Sequence, residues 1–251
     1  MTATVILTPF TCGSMTLPWS SFVGGHAGDI TVPVPAYLIE HPHGLAVFDA
    51  GLGPRFARPA GEARRGPVSV REDALIDARL RAVGVDPVRV GYVINSHLHA
   101  SHAGGNALMP AASVIVQARE YEFASAGGDG GYHAPEFDTG QPIVAVPGSH
   151  DVFGDGSVVL VPTPGHTPGH QSAVVRTDGG DVVLAGDACS LRRSLDEMAR
   201  PGHAHDPELY RRSLDWIRDR RRAGATIAFG HEHPPAGPLA GYSPGSSGAA
   251  G

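Results

Sequence analysis

The chain has 251 residues, of which 41% are hydrophobic, 6% aromatic and 18% charged, and its formal net charge is -6. This length and composition exclude a largely disordered chain and predict a globular protein that buries a sizeable core. The acidic balance also predicts that nucleic acid is not a partner, because binding the phosphate backbone requires an excess of positive charge.

Short apolar runs rich in β-branched residues recur along the chain and predict strands. They cover residues 4–7, 34–39, 45–48, 90–94, 114–116, 158–161, 172–175, 182–185 and 226–229. Helical patterns lie between them at 72–83, 119–125 and 207–222, the last with Asp206 as a candidate N-cap and Pro207 as its first helical residue. Because strands greatly outnumber helices, we expect an α/β fold in which sheets pack on each other and helices lie outside.

Two long stretches, residues 51–70 and 127–142, are rich in glycine and proline and follow neither pattern. Stretches of this kind are either lids over a functional site or disordered, and the sequence does not decide between them. We expect a single domain over residues 1–233, followed by a tail of Pro, Gly, Ala and Ser over 234–251. The oligomeric state is left open.

The location of the protein is predicted from three features. No apolar run approaches the roughly 20 residues that a membrane span needs, so we expect no membrane partner. The segment MTATVILTPF lacks the charged start and cleavage site of a secretory signal, which favours the cytoplasm. Cys12 and Cys189 are too few for a disulfide framework or a cysteine-based zinc site, and we expect them to be reduced and structural.

The strongest functional signal is a cluster of histidines at the end of the strand predicted for 90–94. His97, His99 and His102 follow that strand in the segment SHLHASHAGGN. In extended backbone His97 and His99 project to the same side, and His102 can return from the following turn. Three imidazoles could therefore converge, and imidazole is well matched to zinc.

Three later strands end in the same way. Each runs into a glycine-flanked metal-binding residue, first His166, then Asp187, then His231. A strand end holds a side chain rigidly while leaving it open to a substrate. The six residues together predict one metal site, whereas the simpler alternative is that each histidine only caps its own strand.

These segments resemble the metallo-β-lactamase superfamily, whose signature is HxHxDH followed by a distant His, Asp and His. SHLHASHAGGN and PGHTPGHQS are most similar to the motifs of its N-acyl homoserine lactone lactonases. The resemblance implies an αββα sandwich, with two mixed β-sheets flanked by helices and two zinc ions at one edge. By the same resemblance His97, His99 and His166 would hold the first metal, His102 and His231 the second, and Asp187 would bridge them. Asp49, in the FDAG turn, matches a position that supports the site.

The resemblance further implies the chemistry. Two divalent ions lower the pKa of a shared water far below that of bulk water and polarise a carbonyl oxygen. We therefore expect a hydrolase that opens a small lactone or ester, with an N-acyl homoserine lactone, a quorum-sensing signal, as the best single guess. A thioesterase or glyoxalase-II-like hydrolase is one alternative, and a ligand-binding protein on a scaffold that has lost hydrolysis is another.

Two positions depart from the family pattern. Ser101 occupies the place of the aspartate in HxHxDH, so the site loses one negative charge and one strong oxygen ligand. Three outcomes follow: water bridges Ser101 to a second zinc, only the first metal binds, or the site no longer catalyses. We take Asp187 and Ser101 as the candidate catalytic residues.

Ser190 occupies the place of a tyrosine that holds the lactone in those lactonases. We expect His170 to support the site rather than bind metal.

Overall fold

Two β-sheets form the centre of the molecule in a computed structural model that describes residues 5–63 and 66–234. The strands of the first sheet are β1 (Ile6–Pro18), β2 (Asp29–His41), β3 (Gly44–Phe48), β4 (Ala57–Arg58), β5 (Val68–Arg71), β6 (Val90–Ile94), β7 (Ser113–Gln117) and β8 (Ile143–Val146). They lie in the order β4-β5-β1-β2-β3-β6-β7-β8, antiparallel from β5 through β1 and β2 to β3, and parallel from β3 to β8.

The second sheet is smaller. Its strands are β9 (His150–Asp151), β10 (Val158–Pro162), β11 (Gln171–Thr177), β12 (Gly180–Leu184) and β13 (Thr226–Ala228), in the order β13-β12-β11-β10-β9. Only the pair of β12 with β13 is parallel among these neighbours. Both sheets are therefore mixed.

Helices cover the outer faces of both sheets. They are α1 (Ile76–Ala82), α2 (Ala100–Ala103), α3 (Ala118–Ser125), α4 (Ala134–Phe137), α5 (Arg192–Asp196) and α6 (Pro207–Arg222). Ile76 and Leu80 of α1 pack on the outer face of the first sheet, and Leu214 and Ile217 of α6 pack on that of the second. Between the sheets lies a separate apolar core that includes Phe48, Ile94, Ile115, Leu160 and Leu184. The expected αββα sandwich is confirmed.

The hairpin of β1 and β2 is far longer than the runs at 4–7 and 34–39 predicted. Each strand has 13 residues, and prolines at positions 9, 18, 33 and 35 interrupt the apolar pattern that marks a strand. A register shift between Thr11 and Ser14 accommodates the irregularity. The sequence pattern also missed β8, and it placed the start of the first long helix at 72, where a 3-10 turn over Glu72–Ala74 precedes α1.

Both irregular stretches contain regular elements where the structure describes them. Residues 51–63 and 66–70 include β4 and most of β5, and residues 127–142 include α4, whose Phe137 is buried. Apart from Pro234, the predicted tail over 234–251 lies outside the described residues. In the described part of the chain, no helix combines the length and the apolar composition that crossing a bilayer requires.

Candidate metal centre

The predicted site residues lie together where strands of both sheets end. His97 and His99 follow β6, His102 lies in α2, His166 follows β10, Asp187 lies in a 3-10 turn after β12, and His231 follows β13. The strand-end pattern therefore brings six residues from distant parts of the sequence to one place. All but His99 are buried.

Their ligand atoms form two overlapping groups. His97, His99 and His166 each offer one ligand atom within 4.8 Å of the others, and so do His97, His102 and Asp187. The Asp187 carboxylate lies between the groups. Its Oδ2 is 3.4 Å from His166 Nε2, 3.6 Å from His102 Nε2 and 4.0 Å from His97 Nε2, while its Oδ1 is 3.2 Å from His231 Nε2.

Unpartnered buried nitrogens show that this cluster suits a cation. Nε2 of His97 and Nε2 of His102 are buried and have no hydrogen-bond partner among the described residues. A buried polar atom without a partner costs about 1–3 kcal/mol, which a cation between the rings would remove. Imidazole nitrogens with a carboxylate are also the ligand set that zinc and similar divalent ions accept. The residues present therefore fit a divalent metal.

Asp49 fixes the orientation of His102. This residue has φ +55°, a left-handed conformation that aspartate tolerates better than most residues. Its Oδ1 accepts the Ser96 N–H at 2.7 Å, and its Oδ2 accepts the Ser96 hydroxyl at 2.9 Å and the His102 Nδ1–H at 2.8 Å. With its proton on Nδ1, His102 presents Nε2 towards Asp187.

Two further histidines are held by their second ring nitrogen. His231 Nδ1 donates to the carbonyl of Pro33 at 2.9 Å, which leaves Nε2 facing Asp187. His99 is turned the other way, because its Nε2 is 3.2 Å from Asp129 Oδ1 and its Nδ1 is 3.2 Å from His166 Nε2. Each hydrogen bond thus selects the nitrogen that is free for a metal.

Burial, repulsion between the histidines and attraction between histidines and carboxylates set the charges in the cluster. Burial and the neighbouring histidines hold the pKa of His97 well below its usual value, and burial does the same for His166. Burial alone would raise the pKa of Asp187, but His231 and His102 outweigh it and hold that pKa well below its usual value. Burial also opposes protonation of His102, yet Asp49 and Asp187 raise its pKa to about 10. A metal must therefore displace a proton from His102.

His170, which we expect to support the site, belongs to neither ligand group. Its Nε2 accepts the Ala188 N–H at 3.2 Å, and its Nδ1 therefore donates to Thr163 Oγ1, 2.9 Å away. Burial lowers the pKa of His170 to about 3, so the ring is neutral. Since Ala188 follows Asp187, this contact fixes the turn that carries the carboxylate.

A cavity of about 190 Å³ opens over the cluster. Its polar wall includes Ser101 on α2, His99, His166, Asp187, His231 and His203. Its apolar wall comprises Met15, Leu17, Phe22, Leu52, Phe56 and Val68. The cavity therefore places an apolar surface beside the ligand cluster.

The position of the missing tyrosine is filled differently. The Ser190 hydroxyl donates to Asp187 Oδ1 at 3.3 Å. Tyr37 and Tyr210 are buried in the two apolar cores, whereas the Tyr132 ring packs against His99, with ring centroids 4.6 Å apart. Of these three tyrosines, Tyr132 is the one whose ring contacts a predicted ligand within the described residues.

Sequence reasoning missed two carboxylates at the site. Asp129 lies in the glycine-rich stretch 127–142, where nothing marked it apart from the surrounding turn residues. Glu120 lies on α3 beside Arg119 and Glu122, in a charged segment typical of an exposed helix face. No sequence pattern distinguishes Glu120, which is fully buried, from Glu122, which is exposed.

Comparison with known proteins gives concordant results. The family model of the metallo-beta-lactamase superfamily matches residues 30–232. An N-acyl homoserine lactonase AttM of Azorhizobium caulinodans is 36% identical over 223 residues, which cover 83% of this chain and 85% of the relative. An N-acyl homoserine lactonase of Bacillus thuringiensis is 32% identical over 216 residues, which cover 81% and 82%.

Solved structures agree with the sequence relatives. A crystal structure of a quorum-quenching N-acyl homoserine lactone lactonase matches with a TM-score of 0.81 and 29% identity, over 92% of this chain and 93% of that one. A structure of an N-acyl homoserine lactone hydrolase, with the product N-hexanoyl-L-homoserine bound at the catalytic metal centre, matches with the same score and identity over 92% of this chain and 94% of that one.

Proposed function

The chain belongs to the metallo-β-lactamase superfamily, and from this premise we propose that it is a metal-dependent hydrolase that opens the ring of N-acyl homoserine lactones. The single observation that carries the proposal is the convergence of five histidines and Asp187 at one end of a cavity with an apolar wall. The relatives named as N-acyl homoserine lactonases supply the substrate class.

The proposed metal ligands follow the two overlapping groups. His97, His99 and His166 would hold a first ion, His102 and His231 a second, and Asp187 would bridge them. Zinc is the metal that this ligand set favours. Once bound, two such ions supply a nucleophilic hydroxide at neutral pH and polarise the lactone carbonyl.

The chain itself would position the substrate. An acyl chain lies against apolar side chains such as Phe22, Leu52 and Phe56, because burying them together removes apolar surface from water. The lactone ring then faces Asp187 and His166 across the same cavity. Asp49 and His170 act indirectly, since they hold His102 and the Asp187 turn in place.

The experiment that tests the proposal is a substrate panel. Protein stripped with a chelator and reloaded with zinc should open N-acyl homoserine lactones and do so faster than it cleaves aryl esters or thioesters. His97→Ala, prepared in the same way, should lose nearly all activity. A clear preference for thioesters would instead support a thioesterase, and no hydrolysis across the panel would refute the proposal.

Ser101 favours a second candidate function. Without the aspartate of HxHxDH the second ion has one charged ligand fewer, and a protein that binds only one ion could retain the scaffold for binding a small molecule rather than cleaving it. The fate of the added lactone distinguishes the two functions. Binding of a lactone that is recovered intact supports the binding protein, and release of the ring-opened acid supports the hydrolase. The cytoplasmic location stays a prediction.

A further inference from the structure

A fully buried carboxylate lies behind the first ligand group. Glu120 on α3 is 0% exposed and accepts three hydrogen bonds from three different segments. Its Oε1 accepts the Leu98 N–H at 3.1 Å and the Tyr132 hydroxyl at 2.7 Å, and its Oε2 accepts the Gly169 N–H at 3.1 Å. The side chain thus joins parts of the chain that are otherwise separate.

Each of these three donors is close to a proposed ligand. Leu98 lies between His97 and His99, so its peptide group determines how both rings leave the end of β6. Tyr132 packs its ring on His99 at an angle of 68°. Gly169 belongs to the turn that follows His166. The Glu120 carboxylate is therefore hydrogen-bonded to a neighbour of each of the three histidines in the first group.

The contact between α3 and the turn after His166 is close. A Cβ atom on Gly169 would overlap the backbone of Glu120, so only glycine fits at this position. The turn therefore lies directly on α3, and a small displacement of Glu120 moves the segment that carries His166.

Burial of the Glu120 carboxylate requires interactions that compensate for the loss of water. No ion pair to this carboxylate occurs within residues 5–63 and 66–234, and a buried charge without a cation is costly to desolvate. Its cost is offset by the three hydrogen bonds to the ligand-bearing segments. We propose that Glu120 is a positioning residue that holds His97, His99 and His166 at the spacing required for the first metal ion. The inference rests on the metal-binding part of the proposed function.

The test measures metal binding rather than hydrolysis. Metal-free wild type, Glu120→Gln, Tyr132→Phe and Glu122→Gln are titrated with Co²⁺ while the visible absorption is recorded. In Glu120→Gln the new amide NH₂ competes with one of the peptide N–H donors, and we expect Co²⁺ affinity to fall 10- to 100-fold, the usual effect of losing a supporting group. The absorption band should also change, because it reports the geometry of the ligands around Co²⁺.

The other variants separate positioning from stability. Tyr132→Phe removes only one of the three hydrogen bonds and should weaken Co²⁺ binding less than Glu120→Gln does. Glu122→Gln makes the same substitution on the exposed face of α3 and should bind Co²⁺ as the wild type does. Unfolding of each metal-free variant in urea is measured in parallel, since a purely structural role would lower stability and leave the absorption band unchanged.

The outcomes are distinguishable. If Glu120→Gln binds Co²⁺ with the affinity and spectrum of the wild type, the inference is overturned and the proposed function stands. If the wild type binds no Co²⁺, both are overturned. Should Glu120→Gln fail to fold, Tyr132→Phe decides the question, and wild-type affinity and spectrum in that variant overturn the inference.

Discussion

At residue 101 a hydroxyl group stands where the resemblance implies a carboxylate. Ser101 is half-buried on α2 and lines the cavity beside Asp187 and His231. A carboxylate introduced there would face the second ligand group, whose histidines already share a single carboxylate, Asp187. We therefore expect the charge at this position to affect how tightly a second ion binds.

Ser101→Asp should tighten binding of the second ion by about 10- to 100-fold, because it supplies one more charged oxygen ligand. The measurement is the metal-to-protein ratio after dialysis against a graded chelator. Ser101→Asn is the matched control, since it has nearly the same size as Asp without the charge. Equal metal retention in the two variants would contradict the role assigned to the charge.

The roles of single residues differ in how well they can be predicted from the sequence. The six proposed ligands were predictable because each follows an apolar strand and a recognisable spacing, and the structure places them together. Glu120 and Asp129 were not, because a carboxylate is identified as buried or exposed only by the segments that pack on it. Those segments come from residues up to 49 positions away in sequence, as the contact of Glu120 with Gly169 illustrates.

At the scale of elements, the two irregular segments are joined to each other. Arg55, in the 3-10 turn Pro54–Phe56, forms an ion pair with Glu136 of α4, with Nε 2.7 Å from Oε1. Glu136 is 7% exposed and Arg55 42%. Phe56, next to Arg55, lines the cavity, so the ion pair connects one wall of the site to residues 127–142.

Glu136→Gln should loosen both segments with little effect on global stability. Burial raises the pKa of Glu136 although Arg55 opposes this, and the exposed side of Arg55 is screened by solvent, so the pair contributes about 1 kcal/mol or less. Hydrogen exchange of residues 51–63 and 127–142 should become faster. Glu208→Gln breaks an exposed pair with Arg212 on α6 and should leave those segments unchanged. Equal exchange in the two variants would contradict the link.

Elements with local signals were predicted well and those that depend on distant pairing were not. Helix α6 begins at Pro207, and Asp206 accepts the N–H groups of Glu208 and Leu209, each at 2.9 Å, as the sequence indicated. The length of the hairpin of β1 and β2 was underestimated, because its prolines interrupt the apolar pattern and the strands are held by their pairing with each other. A local pattern is sufficient for a capped helix but not for such a strand.

For the whole molecule, the histidine cluster should make the metal-free protein most stable near neutral pH. The folded pKa of His102 is raised to about 10, so its contribution is complete below its unfolded value of 6.5 and is lost as the pH rises towards 10. The folded pKa of His170 is lowered to about 3, so its contribution is present above 6.5 and is lost as the pH falls towards 3.

Urea unfolding of chelated protein between pH 5 and 9 measures this profile, and we expect its maximum between pH 6 and 7.5. Saturating zinc should raise the whole curve and flatten its alkaline side, because the metal replaces the proton on His102 and binds only the folded state. Asp49→Asn should reduce the alkaline slope by removing a carboxylate that holds that proton. A free energy of unfolding that rises from pH 7 to 9 without metal would contradict the assignment.

The two thiols of the chain have a practical consequence. Cys12 and Cys189 are both fully buried, and burial raises the pKa of each, to about 12 for Cys12. Thiolate, the form that reacts with maleimides and iodoacetamides, is therefore scarce in both. The wild-type sequence can serve as its own background for single-site labelling. A cysteine introduced near Arg55 and another near Glu136 would accept a pair of fluorophores that report the distance between the two cavity segments while a lactone binds.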